Sequence, residues 1–367
     1  MTSAAEDEVI ELASELIAID STNTGEPEGT VGEREAAEYV AGKLTEVGYE
    51  VEVLDSGAHG RTNVFCRLPG ADRERGALLV HGHLDVVPAE PSEWSVHPFS
   101  GAVQDGYVWG RGAVDMKDMD AMMIAVARRF RRDGVVPPRD LVFAFVADEE
   151  AGGSYGAQWL VNNRPDLFEG CTEAVGEVGG FSLTLGEVTG LEVPTDDVEG
   201  GIAKLGPLGR IVGATVRDTV NPTMLKAGYK ANVIPSTAEA VVDCRFLPGR
   251  EEAFLREVDE LLGPDVTREW VQHLPAVETP FEGPLTEAMA AALREEDPGA
   301  KTVPYMLSGG TDAKSFADLG MRCYGFAPLR LPPDLDFASL FHGIDERVPV
   351  DALQFGTRVL DRFLRTC

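Results

Sequence analysis

Histidine and carboxylate side chains follow a short apolar run near the first quarter of this 367-residue sequence. In the segment HGHLD, His81, His83 and Asp85 alternate, which places them on one face of an extended strand. A metal-binding histidine commonly has its second ring nitrogen held by a carboxylate, and Asp85 is placed to do this for His83. A hydrogen-bonded core histidine is the alternative, and His83 alone leaves both interpretations open.

Two adjacent acids, Glu149 and Glu150, follow the apolar run LVFAFV and form the strongest local signal. Neighbouring carboxylates at the end of a buried strand repel one another and raise each other's pKa, and bound cations remove this cost. We therefore expect one carboxylate to bind a metal while its neighbour takes a proton from activated water. A solvated acidic surface is the alternative. Asp148, just before the pair, is predicted to be a supporting or capping residue.

Three further residues are candidate metal ligands, because each lies close to the end of a predicted strand or the start of a predicted helix. Asp115 begins a predicted helix, Glu177 closes a short apolar strand, and His342 lies ahead of the last predicted helix. Alone, Asp115 is better explained as a helix N-cap. Ligands gather at the carboxyl ends of strands in open parallel sheets, so the shared placement predicts one site. Imidazole and carboxylate ligands fit Zn²⁺, with Mn²⁺ or Co²⁺ as substitutes, and two ions about 3.5–4 Å apart act jointly on a carbonyl.

The elements that must position these side chains alternate between helix and strand. Apolar residues at helical spacing predict helices at 7–18, 33–47, 116–132, 154–163, 285–296 and 351–365. Short apolar runs predict strands near 49–54, 62–68, 77–80, 141–146 and 173–177. Looser strands and a polar helix at 251–262 indicate a second domain. We predict an α/β fold with a mostly parallel sheet, whose main domain comprises 1–181 and 276–367 and whose small α+β insertion spans 182–275.

The composition excludes several classes of function. The sequence carries 62 acidic and 32 basic residues, a net charge of −30, and such a surface repels nucleic acid. The N-terminal segment is acidic and amphipathic, unlike a signal peptide, and no apolar run reaches the roughly 18 residues of a membrane span. We therefore expect a cytoplasmic protein that binds no membrane. The five scattered cysteines lack paired metal-ligand spacing and are expected to be reduced thiols.

The segments HGHLDVVP, GRGAVDMKD, ADEEAGG, NVIP, SGGTDA and FHGIDERVP occur in this order and together resemble the M20 family of metallopeptidases over most of the chain. The resemblance implies a di-zinc exopeptidase-like catalytic domain with a small inserted α+β lid domain. It assigns one zinc to His83 and Glu177, the other to Glu150 and His342, and a bridging role to Asp115. It makes Glu149 the general base and gives Asp85, as a second catalytic residue, the role of supporting His83 that its place on the strand already indicates.

The resemblance also implies four substrate-binding residues. Asn232 and Arg245 belong to the lid, and the Arg245 guanidinium is suited to bidentate capture of a substrate carboxylate. Gly310 and Thr311 enter a helix and present backbone N–H groups to the same anion. Without the resemblance, Asn232 is a turn residue, Arg245 a solvated strand residue, and the glycine-rich segment an ordinary loop with Asp312 as its cap.

One departure from the family pattern bears on activity. The family's lid carries a histidine that stabilises the oxyanion, yet no histidine occurs between His97 and His273. The lid is predicted to be truncated, and loss of one oxyanion donor costs about 10²- to 10³-fold in rate. Because family dimers form through the lid, a monomer or weak homodimer is expected.

The sequence leaves three functions in competition. The first is a zinc-dependent hydrolase that cleaves an amide bond in small peptides or N-acyl amino acids bearing a free carboxylate. An anion anchor near the metals favours an exopeptidase, since that anchor demands a chain end. The second is a non-catalytic or weakly active metal-binding homologue that lost the lid histidine. The third is an open site that accepts a different amide substrate.

Overall fold

The computed structural model describes residues 5–58, 60–184, 197–204 and 208–367. The described residues form two compact units. The first takes its residues from Met1–Gly186, Thr279–Pro304 and Thr311–Cys367, and the second from Glu187–Glu278 and Tyr305–Gly310. The domain division at 182–275 stays a prediction, and residues 185–196 and 205–207 of the predicted lid lie outside the described residues.

The strands follow the apolar runs of the sequence. In chain order they are β1 (Val51–Asp55), β2 (Thr62–Leu68), β3 (Ala77–His83), β4 (Val103–Gln104), β5 (Tyr107–Trp109), β6 (Leu141–Val146), β7 (Cys171–Gly176), β8 (Thr219–Ala227), β9 (Ala238–Arg245), β10 (Arg322–Gly325) and β11 (Arg347–Pro349). The largest sheet has the order β1-β2-β6-β3-β7-β10. Strands β6, β3, β7 and β10 are parallel, whereas β1 and β2 are antiparallel additions at one edge. The prediction of a mostly parallel α/β sheet is confirmed.

The helices also follow the predicted pattern. In chain order they are α1 (Ala5–Ala18), α2 (Arg34–Thr45), α3 (Lys117–Asp133), α4 (Ala157–Asn163), α5 (Val198–Ala203), α6 (Leu208–Gly213), α7 (Glu251–Leu262), α8 (Pro284–Glu296), α9 (Ala313–Ala317) and α10 (Val350–Leu364). The predicted helix at 154–163 begins later, at Ala157. No described helix combines the length and apolar character needed to cross a membrane.

The parallel strands are buried on both faces because helices cover both sides of the sheet. Along β3, Leu78 and Val80 join the apolar cluster that contains residues of α1, α3 and α10. Leu79, between them, joins the opposite cluster with residues of α4 and α9. Every residue of β6 is fully buried. The unbroken apolar runs therefore reflect a strand enclosed in two layers, and the polar residues that follow each run lie at the sheet's edge.

The second unit is small. Its strands β8 and β9 form a two-stranded antiparallel sheet, in which Thr219 pairs with Arg245. Phe254 of α7 is buried and packs against Phe246, with ring centroids 5.7 Å apart. His273 lies in this unit, where its Nε2 is 2.6 Å from a carboxylate oxygen of Glu251.

Helix α3 begins with a buried acid that makes stability depend on pH. Asp118 is 2% exposed, and its Oδ1 has no hydrogen-bond partner within the described residues. Burial raises the pKa of Asp118 to about 8, whereas an aspartate in the unfolded chain titrates near pH 4. The folded protein therefore binds the proton more tightly, and the free energy of unfolding falls as the pH rises from about 4 to about 8.

We expect Asp118→Asn to stabilise the metal-free protein by on the order of 1–3 kcal/mol at pH 8 and by much less at pH 5, because the amide carries no charge to bury. Urea unfolding at both pH values measures this difference. Asp133→Asn, at the exposed end of the same helix, serves as the control and should show no such pH dependence. An equal gain for Asp118→Asn at both pH values would contradict the expectation.

Candidate metal centre

Adjacent parallel strands bring the candidate ligands together at one edge of the sheet. His83 is the last residue of β3, and Glu177 directly follows β7, its neighbour in the sheet. Glu149 and Glu150 lie in a short 3₁₀ turn a few residues beyond β6, on the other side of β3. The carboxyl ends of the three strands therefore present these four side chains at the same edge, as their shared placement in the sequence predicts.

Asp115 lies between two imidazole rings. One carboxylate oxygen, Oδ1, is 3.1 Å from Nε2 of His83, and the other, Oδ2, is 3.2 Å from Nε2 of His342. Met116 is the N-cap residue of α3, so Asp115 lies one residue before the cap position. The alternative interpretation of Asp115 as the helix N-cap therefore does not match the structure. A carboxylate whose two oxygens face different imidazoles has the geometry required to bridge two cations.

Each imidazole has a second carboxylate beside it. Nε2 of His342 is 3.1 Å from Oε2 of Glu150, and Nε2 of His83 is 3.7 Å from Oε2 of Glu177. Ligand atoms of His83, Asp115 and Glu150 all lie within 4.8 Å of one another, as do those of His83, Glu149 and Glu177. Glu149 thus borders the same space as the ligands, and its separate role as a base stays a prediction.

Charge gives a second indication that cations belong here. Burial, with Glu177 close by, raises the pKa of Glu149 well above its ordinary value. Burial opposes protonation of His83, but Asp115 and Glu177 nevertheless raise its pKa well above the ordinary value. Asp115 and Glu150 likewise raise the pKa of His342 to about 10.

The two imidazoles and the Glu149 carboxyl thus favour their protonated forms, which supply positive charge or neutralise negative charge where cations would otherwise do so. When ionised, the carboxylates of Asp115, Glu149, Glu150 and Glu177 together carry four negative charges, which equal the positive charge of two divalent ions. The possible donor atoms are imidazole nitrogens and carboxylate oxygens, without sulfur. The residues present therefore fit two ions of the zinc type.

Asp85 supports His83 by a different atom from the one expected. Nδ1 of His83 lies 3.0 Å from the backbone oxygen of Asp85 and 3.6 Å from its carboxylate, which is beyond hydrogen-bond range. The carboxylate instead accepts the backbone N–H groups of Glu149 and Glu150, each at 3.1 Å. Asp85 therefore orients the histidine through its carbonyl and the acidic turn through its side chain.

Three residues in the left-handed backbone region flank the site. Asp148, Val178 and His342 have φ angles of 68°, 54° and 57°. This conformation is a genuine outlier for a β-branched residue such as Val178, and such strain persists only where the surrounding structure imposes it. Asp148 directly precedes the acidic turn and Val178 directly follows Glu177, so the strained positions adjoin candidate ligands.

A buried ion pair that the sequence analysis did not identify joins the Asp115 and His342 segments. The Glu346 carboxylate accepts hydrogen bonds from the Val114 N–H at 2.8 Å and from Nη1 of Arg111 at 2.7 Å. Nη2 of Arg111 lies 3.4 Å from the backbone oxygen of His342. Glu346 stands four residues after His342, and an acid that close to a candidate ligand is the signal that could have revealed it.

The predicted substrate-binding residues are divided between the units. Asn232, Arg245 and Gly310 lie in the second unit and Thr311 in the first, whereas the cluster described above consists of first-unit residues only. Asn232 is exposed in a turn. Arg245 pairs with Asp243, two residues away on the same strand, at 2.9 Å, and its Nη1 donates to the backbone oxygen of Ser308 at 2.8 Å.

The loop before α9 does not match the interpretation of an ordinary loop that Asp312 caps. Thr311 accepts a hydrogen bond from the Ala313 N–H at 3.3 Å. Asp312 occupies the N-cap position of α9 but makes no side-chain cap hydrogen bond, and its buried Oδ2 has no partner within the described residues. Asp312 is therefore not an ordinary cap.

Comparison with known proteins agrees with this geometry. The sequence model of Peptidase family M20/M25/M40 matches residues 79–366. The succinyl-diaminopimelate desuccinylase of Paracoccus denitrificans (strain Pd 1222) is 28% identical, over 91% of this chain and 94% of its own. The M20 family metallo-carboxypeptidase Sso-CP2 from Sulfolobus solfataricus has a TM-score of 0.73 at 16% identity, covering 100% of this chain and 99% of that one.

A second solved structure carries the same fold. The Bacillus subtilis YXEP protein, described as a dinuclear metal binding peptidase from the M20 family, has a TM-score of 0.64 at 17% identity and covers 99% of both chains. The family match covers more than half of the sequence, from the second half of β3 to the last helix. The chain therefore belongs to peptidase family M20/M25/M40 and is an enzyme of the peptidase and amidohydrolase type.

Proposed function

We propose that this enzyme uses two zinc ions to cleave an amide bond in small peptides or N-acyl amino acids that carry a free carboxylate. The observation that carries the proposal is the position of Asp115, whose two carboxylate oxygens face Nε2 of His83 and Nε2 of His342. If only one ion were bound, one of the two imidazoles that face Asp115 would hold no metal. Mn²⁺ or Co²⁺ are the substitutes that the same donors accept.

The proposed roles divide the site into binding and proton transfer. When bound, the two ions polarise the scissile carbonyl and lower the pKa of water in the site. His83 and Glu177 would hold one ion, Glu150 and His342 would hold the other, and Asp115 would serve both. Glu149 accepts a proton from the attacking water at a carboxylate oxygen and returns it to the leaving nitrogen.

The substrate class is supported by the relatives and by one basic residue. Succinyl-diaminopimelate desuccinylase and a metallo-carboxypeptidase are named for substrates with an amide bond. Arg245 is the proposed partner of the substrate carboxylate, and it would exchange Asp243 for that group. Asn232, Gly310 and Thr311 are proposed to complete the anchor. A truncated lid, a monomer or weak homodimer, and a cytoplasmic location likewise stay predictions.

Hydrolysis of a panel of dipeptides and N-acyl amino acids by the zinc-loaded protein tests this proposal. We expect turnover of members with a free carboxylate, a loss of at least about 10²-fold for the matching carboxamides, and loss of turnover with a chelator that Zn²⁺ restores. Metal content is measured on the same sample and should be two ions per chain.

Two bound metals without turnover of any panel member would contradict the substrate class and favour the weakly active homologue that lost the lid histidine. Equal turnover of carboxylates and carboxamides would instead favour an open site without an anion anchor. Turnover that survives complete metal removal would contradict the metal-dependent mechanism itself.

A further inference from the structure

A buried polar network lies behind the acidic turn, and the roles proposed above do not use it. Its members are nearly inaccessible to solvent and come from distant parts of the sequence. They are Asn23, Glu33, Arg61, Asp85 and Asp148. This buried network therefore contains three carboxylates and one guanidinium, which contacts two of them directly, and such an arrangement costs free energy unless every partner is well placed.

Asp85 is the member that reaches the site. Its Oδ1 accepts the N–H of Glu149 and its Oδ2 the N–H of Glu150, so one buried carboxylate binds the first two amides of the 3₁₀ turn. These amides have no partner within such a short turn, and a carboxylate placed at its start satisfies both. The backbone oxygen of the same residue holds the ring of His83. A rotation of the Asp85 side chain would therefore displace the turn that carries Glu149 and Glu150.

Asn23 is the side chain that fixes Asp85. Its Nδ2 donates to Oδ2 of Asp85 at 2.8 Å and to Oδ1 of Asp148 at 3.1 Å. Its Oδ1 accepts from Nη2 of Arg61 at 2.7 Å and from the N–H of Gly25 at 3.0 Å. Two donors at Oδ1 and two carboxylates at Nδ2 define the orientation of the amide without ambiguity.

Arg61 fixes Asn23 in turn. Its Nη1 bonds to the buried carboxylate of Glu33, and its Nη2 lies 3.2 Å from Oδ1 of Asp148. The guanidinium thus balances two carboxylates while it directs the Asn23 amide toward a third. This chain of contacts runs from Glu33 through Arg61 and Asn23 to Asp85.

We propose that Asn23, held by Arg61, is a positioning residue for the metal site: it fixes the carboxylate of Asp85, which orients the backbone of Glu149 and Glu150. The proposal rests on the proposed function for the roles of those two residues. Asn23 touches no reacting atom in this scheme and acts only through Asp85. Partners of this kind typically change metal affinity or activity by about 10- to 100-fold when they are removed.

The test compares Asn23→Ala with a matched control, Asn63→Ala. Asn63 is also a fully buried amide, and it bonds to the same loop, through the Ala147 N–H at 2.9 Å and the Tyr155 carbonyl at 3.1 Å, but not to Asp85. For Asn23→Ala we expect kcat to fall about 10- to 100-fold with KM within about threefold, and Co²⁺ affinity to fall about 10- to 100-fold. For Asn63→Ala, kcat and the Co²⁺ affinity should both stay within about threefold of wild type.

A second variant, Asn23→Asp, keeps the size of the side chain and an acceptor for Arg61 but removes the donor to Asp85, so it tests the same contact if the alanine variant does not fold. The same losses in this variant would support the proposal. Wild-type kcat and Co²⁺ affinity in the Asn23 variants would overturn it and leave the proposed function intact, and so would equal losses in the Asn23 and Asn63 variants. If the wild-type enzyme turns over no panel substrate, the Co²⁺ titration alone decides.

Discussion

Replacing Glu149 with alanine is expected to lower kcat by about 10²- to 10⁴-fold while the protein keeps two bound metal ions. The reason is that a base contributes proton transfer without holding an ion, so its loss affects the reaction rather than the metal content. Metal analysis after gel filtration and a turnover assay on the same sample measure both quantities. The change is confined to one side chain, because the Glu149 backbone N–H can still bond to Asp85.

Glu150→Ala is the matched control, since it removes the neighbouring carboxylate from the same 3₁₀ turn. We expect this variant to lose one ion, because Oε2 of Glu150 lies 3.1 Å from Nε2 of His342 on the proposed second site. Glu149 is itself close enough to other candidate ligands to bind an ion, because possible ligand atoms of Glu149, His83 and Glu177 lie within 4.8 Å of one another. Loss of an ion from Glu149→Ala would make Glu149 a ligand, and unchanged turnover would remove it from the mechanism.

The sequence predicted the frame of this site because the frame follows local rules. Unbroken apolar runs predicted β3 and β6, which the sheet buries on both faces, and the residues after each run lie together at the carboxyl ends. Helix α3 was predicted from the spacing of residues such as Met119, Met122 and Phe130, all of which are buried. In these places, periodicity and burial carry the same information.

The contacts that orient the site follow no local rule. Asn23 and Asp85 are 62 residues apart in the sequence, and Asn23 lies in a polar segment that resembles an ordinary loop. The carboxylate of Asp85 was expected to hold the imidazole, but its two oxygens instead bind backbone amides of the acidic turn. Strand alternation predicted the face on which Asp85 lies, whereas its partners depend on a turn after another strand.

The second unit shows a similar limit. The segment Tyr305–Gly310 belongs to it, although this segment follows the predicted insertion in the sequence and was assigned to the C-terminal part of the main domain. Its contact with the unit includes the hydrogen bond from Arg245 to the Ser308 carbonyl, over 63 residues. The predicted bounds of the insertion stay a prediction, and the sequence pattern gave no sign that a later segment joins the second unit.

Replacing Asp115 with alanine is expected to remove both metal ions and to abolish turnover, whereas His342→Ala is expected to remove one ion. The difference follows from the position of the carboxylate, since Oδ1 faces Nε2 of His83 and Oδ2 faces Nε2 of His342. A bridging ligand serves both ions, so its loss weakens both sites and leaves the two ions to repel one another without a shared anion. Metal stoichiometry over a titration with Zn²⁺ distinguishes the two variants.

Asp118→Asn is the control for this experiment, because Asp118 is another buried acid at the start of α3 and is not a proposed ligand. It should bind two ions with wild-type affinity. If Asp115→Ala keeps one ion at wild-type affinity, Asp115 serves a single site and the facing imidazoles do not mark a bridge. In that case the His83 site and the His342 site are independent, and activity should follow the occupancy of whichever one adjoins Glu149. If both ions are lost together, the two imidazoles depend on one carboxylate, and the two-ion mechanism has its structural basis in Asp115.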